Sequence, residues 1–139
     1  MAVVEELIRK ESDGTISFGN YSLSVKSKVS DFEHQGDLYK VKTFHEITKL
    51  EKNGMFVYES VPGTAVFHFD TKGNIVTFEV SGNESAQITL ELEAEKDYEI
   101  FKNDAYLDKI KTNLGGKLVL SLELDLDEGN KDIIKVVKL

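Results

Sequence analysis

The sequence predicts an all-β protein, an antiparallel β-sandwich with extra β-hairpins at its N-terminal end. Apolar residues recur at every second position through most of the chain, as in strands with one buried face. Clusters of Gly, Asn and Asp separate these runs, as tight turns do. The 139 residues include no Cys, but a chain of this length buries about 70% of its unfolded surface and needs no disulfide.

The N-terminal stretch contains several short candidate elements. Residues 3–10, VVEELIRK, have the pattern of two amphipathic helical turns, which is short for a stable helix. Residues 16–18 alternate as in a strand, and residues 21–25 resume the alternation on the opposite parity. Because Gly19-Asn20 lies between them, a hairpin turn or a bulge is predicted there.

Asn53-Gly54 is the clearest hairpin signal, because both residues tolerate the positive φ of a two-residue turn. It separates EITKLEK from MFVYESV, two runs with strand character. Val61-Pro62-Gly63 should end the second strand, since Pro lacks the N–H that a ladder needs. The predicted cross-strand pairs are Lys52 with Met55, Lys49 with Tyr58 and Thr48 with Glu59.

From Thr64 onward the alternation is more regular, and seven short strands joined by turn-rich connections indicate an immunoglobulin-like sandwich. We predict one domain over residues 1–139, with a β extension over about 1–62 and the sandwich over about 63–139, because two isolated hairpins would not be stable alone. The seven strands are predicted near residues 65–69, 75–81, 86–93, 98–102, 106–111, 117–126 and 132–138.

The run KTNLGGKLVLSLELDL, residues 111–126, predicts a turn followed by a strand with one buried face. The other parity, from Val119 to Asp125, becomes more polar toward its end. This pattern is typical of a sandwich wall, so function is expected elsewhere, in the less regular stretch before Pro62. The buried parity consists of Leu118, Leu120, Leu122, Leu124 and Leu126.

The net charge is −8, from 25 acidic and 17 basic residues. Because an acidic chain without a basic cluster is repelled by phosphate groups, neither nucleic acid nor an anionic membrane is predicted as a partner. No apolar run approaches the roughly 20 residues of a membrane helix. Glu5 and Glu6 interrupt the only apolar start, so no signal peptide is predicted and a cytoplasmic location is the default expectation.

Aromatic side chains supply the only candidate ligand-binding residues. The chain has eight Phe, five Tyr and no Trp, and Trp is the ring that sugar-binding platforms use most often. The Phe residues are expected in the core. Tyr39, Tyr58 and Tyr106 are therefore the candidates for exposed rings that contact a ligand.

No motif for catalysis, metal binding or cofactor binding is present, so none of these is predicted. The spacing of His34, His45 and His68 does not indicate a shared metal site, and no Gly-x-Ser-x-Gly elbow marks a nucleophile. The acidic loop DLDEGNKD, residues 125–132, has Gly129 where an EF-hand needs a ligand, which favours a polar turn.

Pairs of carboxylates for glycoside hydrolysis can be drawn from four Glu residues. Such a pair needs a separation of roughly 5–10 Å, and alternate residues of one strand are about 7 Å apart. That spacing is common in any acidic strand, so solvated outward faces are the preferred interpretation. The four residues are Glu59, Glu79, Glu91 and Glu93.

The segment YEIFKNDAYLDKIKTNLGGKLVLSLEL resembles the last strands of fibronectin type III-like and immunoglobulin-like accessory modules, with Thr112, Gly116 and alternating Leu in the matching positions. The resemblance implies a structural module of the kind that accompanies glycan-active enzymes. DGTISFGNY, GDLYKVKT and YESVPGTAV are similar to segments of small bacterial all-β proteins, some labelled endosialidase-like. No glycosidase motif matches residue by residue, so no catalytic assignment follows.

These observations favour a non-catalytic β-sandwich module for binding or assembly, with a carbohydrate or a protein as its ligand. Two alternatives stay open: a small hydrolase acting on glycans, and a structural subunit that binds only protein. A sandwich of many strands also has exposed edges, so a homo-oligomer formed through an edge strand is a secondary prediction.

Leu120 tests the predicted register of residues 117–126. A charged substitution such as Leu120→Asp would force a charge into the core and should unfold the protein. Thermal unfolding measures this effect. An unchanged melting temperature would show that Leu120 lies on the solvent face and that the register is wrong.

Overall fold

The computed structural model describes residues 2–124 and 131–139, which form thirteen β-strands and no helix. The predicted all-β fold is thereby confirmed, and no segment within these residues qualifies as a membrane-crossing helix. The strands are β1 (Ile8–Lys10), β2 (Ile16–Phe18), β3 (Ser27–His34), β4 (Asp37–Phe44), β5 (Ile47–Lys52), β6 (Met55–Val61), β7 (Thr64–Lys72), β8 (Ile75–Gly82), β9 (Ala86–Glu91), β10 (Asp97–Lys102), β11 (Ala105–Lys111), β12 (Lys117–Leu122) and β13 (Asp132–Lys138).

The strands form two antiparallel sheets that pack as a sandwich. The seven-stranded sheet has the order β1-β2-β7-β8-β13-β10-β11, and the six-stranded sheet has the order β12-β9-β6-β5-β4-β3. The N-terminal meander β3–β6 therefore supplies four strands of the smaller sheet. The last strand, β13, lies between β8 and β10, whereas an immunoglobulin constant-type domain places its last strand in the smaller sheet. The sandwich architecture is shared and the strand order differs.

The core lies between the inner faces of the two sheets, where apolar residues alternate as predicted. Leu118, Leu120, Leu122 and Leu124 are all buried, while Val119 is exposed, so the register predicted for β12 is confirmed over these residues. Leu126 and most of the acidic loop at 125–132 lie outside the described residues. A cluster of edge-to-face and tilted rings fills the centre of the core and contains Phe18, Tyr58, Phe69 and Phe78.

The N-terminal stretch differs from the sequence pattern in two places. The amphipathic pattern of residues 3–10, judged short for a stable helix, forms none, and β1 begins at Ile8 directly after Leu7, which has a φ of +72°. Gly19-Asn20 forms neither a hairpin turn nor a bulge, because the chain leaves one sheet there and enters the other at Ser27. A side chain at Gly19 would place its Cβ 2.4 Å from the carbonyl oxygen of Thr64, so only Gly permits this close crossing.

The Asn53-Gly54 hairpin forms as predicted, but its register shifts within three residues. Lys52 faces Met55, and a bulge between Leu50 and Glu51 then sets Leu50 opposite Tyr58. The predicted pairs Lys49 with Tyr58 and Thr48 with Glu59 are therefore wrong. Because opposite residues share a face, an unbroken register would have put a lysine beside the buried tyrosine. The bulge avoids that burial of charge.

A hydrogen-bond network of buried hydroxyl groups links the two sheets where the polypeptide passes from β6 to β7. Thr48 donates its hydroxyl proton to the Thr64 carbonyl at 2.7 Å and accepts the Thr64 N–H at 3.1 Å. Thr43 must therefore donate its own proton to Thr48, at 2.8 Å, and it accepts the backbone N–H of Asn20 at 2.8 Å. Tyr58 and the hydroxyl of Thr64 are 2.8 Å apart in the same network. All of these side chains except that of Asn20 are completely buried.

Thr48→Val should destabilise the protein by about 3 kcal/mol, because it leaves the N–H and C=O groups of Thr64 buried without partners. Urea unfolding measures the free energy. Thr48→Ser keeps the hydroxyl and should cost only about 1 kcal/mol for the lost methyl group. The control Thr77→Val, at a half-exposed position of β8, should stay within about 0.5 kcal/mol. Equal losses for Val and Ser at position 48 would contradict this role of the hydroxyl.

Candidate functional site

The best-formed concavity of the described structure lies between the sheets at one end of the sandwich, and we call it the interlayer cleft. The turns β1–β2, β3–β4, β5–β6 and β7–β8 gather at this end. The cleft encloses about 300 Å³, near the lower limit of small-molecule sites. It is lined by Gly14, Ile16, His34, Gln35, Asp37, Tyr39, Lys52, Phe56, Val57, Phe69, Asp70, Thr71 and Glu91.

Three aromatic rings form the apolar part of the interlayer cleft. Tyr39 comes from β4, Phe56 from β6 and Phe69 from β7, so both sheets contribute. The Tyr39 ring is half-buried and stands 6.2 Å from the ring of His34. Burial raises the pKa of Tyr39 above an ordinary value that already leaves the hydroxyl protonated at neutral pH. That hydroxyl has no hydrogen-bond partner within the part of the chain that the structure describes, so it is free to bind a ligand.

Charged groups surround these rings. Asp37 accepts a hydrogen bond from the Asn53 amide at 2.9 Å and lies 3.4 Å from the ammonium group of Lys52. The Asn53 bond and then the Lys52 charge hold the pKa of Asp37 below its usual value, so this carboxylate is ionised at neutral pH. Farther along the same sheet Glu91 of β9 pairs with Lys117, whose ammonium group lies 4.6 Å from the centre of the Phe56 ring.

A cluster of polar side chains, which we call the His68 cluster, supports the wall of the cleft from behind. It consists of Arg9, Glu11, Asp13, Thr15, Ser17 and His68. His68 donates from Nδ1 to Asp13 at 2.9 Å, and its backbone N–H donates to Ser17 at 3.1 Å. Ser17 in turn donates to Glu11 at 2.5 Å. The Ser17 proton is therefore committed to Glu11, and His68 does not activate Ser17 as a nucleophile.

A bulge in β7 places His68 in this cluster. The register shifts between Phe67 and Asp70, and His68 has a φ of +53°, which is uncommon for a residue with a side chain. In an unbroken strand, Phe67 and Phe69 would share one face. The bulge instead directs Phe69 into the core against Phe78, at 5.7 Å between ring centroids, and turns the imidazole toward Asp13.

The β1–β2 turn is held by both the His68 cluster and the smaller sheet. Thr15 donates its hydroxyl proton and its backbone N–H to Asp13, at 2.5 and 3.0 Å. These bonds, with a smaller effect from His68, lower the pKa of Asp13 to about 2. From the other side His34 donates to the Gly14 carbonyl at 3.0 Å. Gly14 is thus fixed as part of the cleft wall.

Glu11 is the most buried acid of the His68 cluster. Burial alone would raise its pKa, but the hydrogen bonds from Ser17 and Arg9 outweigh burial and lower the pKa overall. The Arg9 Nε donates to Glu11 at 3.2 Å, so the sole arginine of the chain serves this internal pair. The His68 cluster is therefore a satisfied structural network rather than an open reactive site.

The three tyrosines predicted as exposed rings occupy different environments. Tyr39 lies in the interlayer cleft. Tyr58 is 0% exposed, so the expectation of an exposed ring is wrong there, because the bulge at Leu50 turns it into the core. Tyr106 is 57% exposed on β11 and contacts Phe101, at 6.0 Å between ring centroids. The structure brings none of the three together.

The histidines and acids singled out from the sequence are likewise dispersed. His34 and His68 both contact the β1–β2 turn, whereas His45 is exposed in the β4–β5 turn at the opposite end. No group of three His, Asp or Glu side chains among residues 2–124 and 131–139 has the arrangement of a metal site. Of the four Glu considered as acid pairs, Glu91 lines the cleft, while Glu93 pairs with Lys138 at 2.5 Å.

Sequence reasoning missed most of the cleft residues, including Asp37, Lys52 and Asp70. Each of them lies within three residues of a turn at the same end of the sandwich. In an antiparallel meander every second turn lies at the same end of the sheet. The order of the hairpins along the chain could therefore have predicted that the β3–β4 and β5–β6 turns lie together. That β7 and β9 also reach this end depends on the strand order, which the chain order does not give.

The lowered pKa of Asp13 should make part of the stability pH-dependent. Its pKa is 3.8 when unperturbed and about 2 in the folded protein, so its contribution is present above pH 3.8 and disappears as the pH falls to about 2. The melting temperature of wild type should therefore exceed that of Asp13→Asn at pH 6, and the two should converge near pH 2. Thr15→Val should reduce the same pH dependence, and a difference that stays constant across this range would contradict the assignment.

Comparison of the chain with protein-family models, with curated proteins and with solved structures finds no match. The resemblances noted from the sequence therefore stay predictions. The function has to be inferred from the shape, charge and hydrogen-bonding groups of the interlayer cleft.

Proposed function

We propose that this chain is a non-catalytic binding module that holds a neutral carbohydrate in the interlayer cleft. The observation that carries the proposal is that the half-buried aromatic ring of Tyr39 and several polar side chains line the same cleft. A sugar has the matching chemistry, because its C–H face packs on an aromatic ring while its hydroxyl groups both donate and accept hydrogen bonds.

The polar groups of the cleft suit a hydroxyl-rich ligand. Asp37 and Glu91 accept hydrogen bonds, Lys52 donates them, and the Tyr39 and Thr71 hydroxyl groups do both. A purely apolar ligand would leave these groups desolvated and unpaired, which costs binding free energy. A sugar instead replaces the water molecules that they would otherwise bind.

The charge of the cleft favours a neutral sugar over a sialylated one. Three carboxylates line it, and each pairs with a lysine: Asp37 with Lys52, Asp70 with Lys72 and Glu91 with Lys117. These lysines are therefore already engaged by protein carboxylates, and the net charge of the chain is negative. A carboxylate on the ligand would have to compete with them for the same cations and would be disfavoured by the charge of the chain.

The ionisation of the cleft supports binding rather than hydrolysis. A glycoside hydrolase needs one carboxyl group that stays protonated, with a raised pKa, to donate a proton to the leaving group. The pKa of Asp37 is lowered instead. Glu91 is engaged by the ammonium group of Lys117.

A panel of neutral and sialylated oligosaccharides, tested for both binding and turnover, separates the proposal from its alternatives. Binding of a neutral member without release of new reducing ends supports the proposal. Turnover that is lost in Glu91→Gln would establish a small glycan hydrolase. An absence of binding to every member would overturn the carbohydrate proposal and leave a subunit that binds protein.

Tyr39→Ala should weaken binding of the selected sugar about tenfold, because the variant removes the stacking surface. Tyr106→Ala is the matched control, since it removes an exposed ring on β11 that lies outside the cleft. Isothermal titration calorimetry gives both dissociation constants, and circular dichroism confirms that both variants are folded. Equal effects of the two substitutions would show that the sugar does not bind in the cleft.

A further inference from the structure

Strand β12 is an edge strand without the features that usually block pairing with another chain. Its six residues pair with β9 in an unbroken register, and residues 118–122 carry no charge. Regular, uncharged edges are open to a further strand. The chemistry of β12 therefore points to a partner that adds a strand to the smaller sheet.

The other three edge strands that the structure describes are protected. β1 has three residues. β3 is bulged between Val29 and Phe32 and carries Asp31 within the bulge. β11 places Asp108 opposite the buried Ile100, so a charge points toward the core side of the edge. Short strands, bulges and inward charges all hinder pairing between sheet edges, so β12 is the most accessible of the four.

One hydrogen bond shows which backbone groups of β12 are directed outward. The N–H of Leu92 donates to the carbonyl of Gly116 at 2.7 Å, which makes this a hydrogen-bonded pair at the start of the β12–β9 ladder. Such pairs alternate with non-hydrogen-bonded pairs along an antiparallel ladder. Every second residue after Gly116 therefore bonds to β9. The residues between them direct their N–H and C=O groups away from the sheet, and these are Lys117, Val119 and Ser121.

We propose that two copies of this chain form a two-fold symmetric dimer in which β12 pairs antiparallel with β12 of the second copy. The axis passes through the pair formed by the two Leu120 residues. The outward backbone groups of Val119 and Ser121 then bond each other across the interface, twice. The full set of pairs is Leu120 with Leu120, Val119 with Ser121, Leu118 with Leu122, and Lys117 with Glu123.

Charge complementarity selects this register and a second copy as the partner. With the axis at Leu120, Lys117, which has Glu91 of β9 on its other side, faces Glu123 on both sides of the axis, and the residues between them are neutral. An axis at Val119 would set Lys117 opposite Ser121, and an axis at Ser121 would set Glu123 opposite Val119. Within residues 117–123, which the structure describes, only the axis at Leu120 sets one charge opposite the other.

The dimer also covers the open side of the sandwich. A groove of about 370 Å³ runs between β11 and β12 and is lined by apolar residues that include Leu107 and Val119, each 44% exposed. On the opposite side the edges β1 and β3 already contact each other, since the Lys10 ammonium lies 6.0 Å from the Phe32 ring. Covering the groove removes apolar surface from water and favours association.

Sedimentation equilibrium of the full chain between about 10 μM and 1 mM tests the dimer, because a single strand pair is a small interface and should bind weakly. We expect a monomer–dimer equilibrium for wild type. Val119→Pro removes an outward N–H that β9 does not use and should weaken the dimer at least tenfold, while the matched control Val119→Thr keeps that N–H and should preserve it. A wild type that stays monomeric up to 1 mM, or a dimer that Val119→Pro leaves unchanged, would overturn the proposal.

A charge-exchange experiment tests the register and does not depend on the proline variant folding. Lys117→Glu and Glu123→Lys each place like charges opposite each other in the homodimer, so each variant alone should be monomeric. Mixed together, the two variants restore an opposite-charge pair at both ends of the interface. Recovery of dimer in the mixture would show that both variants are folded and correctly paired, whereas a mixture that stays monomeric, or single variants that dimerise like wild type, would refute the register.

Discussion

The structure depends on how the chain crosses between its sheets at Thr64 without leaving backbone groups unpaired. Where the chain passes from one sheet to the other, the backbone N–H and C=O groups at the crossing lack a neighbouring strand on one side. They need other hydrogen-bond partners if they are buried. Thr48 supplies both missing partners with one hydroxyl group, because it accepts from the Thr64 N–H and donates to the Thr64 carbonyl. The smaller sheet thereby satisfies the backbone of the larger one at the point of crossing.

The same crossing explains why small residues stand beside it. A Cβ at Gly19 would lie 2.4 Å from the Thr64 carbonyl oxygen, and a Cβ at Gly63 would lie 2.1 Å from the Phe44 carbonyl oxygen. Either side chain would push the strands apart and lengthen the hydrogen bonds of Thr48. The hydrogen bonds of Thr48 therefore need the close backbone approach that the two glycines permit. Together these contacts set the relative position of the two sheets.

Two bulges then determine which side chains face the core and which face the cleft. The bulge opposite Leu50 turns Tyr58 inward, and the bulge after Phe67 turns Phe69 inward and His68 toward Asp13. Both bulges lie near the end of the sandwich where the interlayer cleft opens. A shift of one residue moves every later side chain to the other face, so these two irregularities give the cleft its aromatic wall and its supporting polar cluster.

The sequence by itself determined the presence of the strands and the buried face of most of them. Alternation is a local signal with a period of two residues, and it located the leucines of β12 and the hairpin at Asn53-Gly54 correctly. It also identified the all-β class, because no segment had a sustained helical period. Of the residues that line the cleft, the sequence analysis had considered Tyr39, His34 and Glu91, but it gave no reason to place them together.

Only the tertiary structure decided the strand order, the bulges and the membership of the cleft. Strand order depends on which edges meet after the chain has crossed between sheets, and no periodicity encodes that choice. The bulge in β7 interrupts its ladders with both β2 and β8, and the alternation of the sequence does not mark its position. The cleft therefore combines residues as distant in sequence as Gly14 and Glu91, whose proximity follows from sheet packing and from no local pattern.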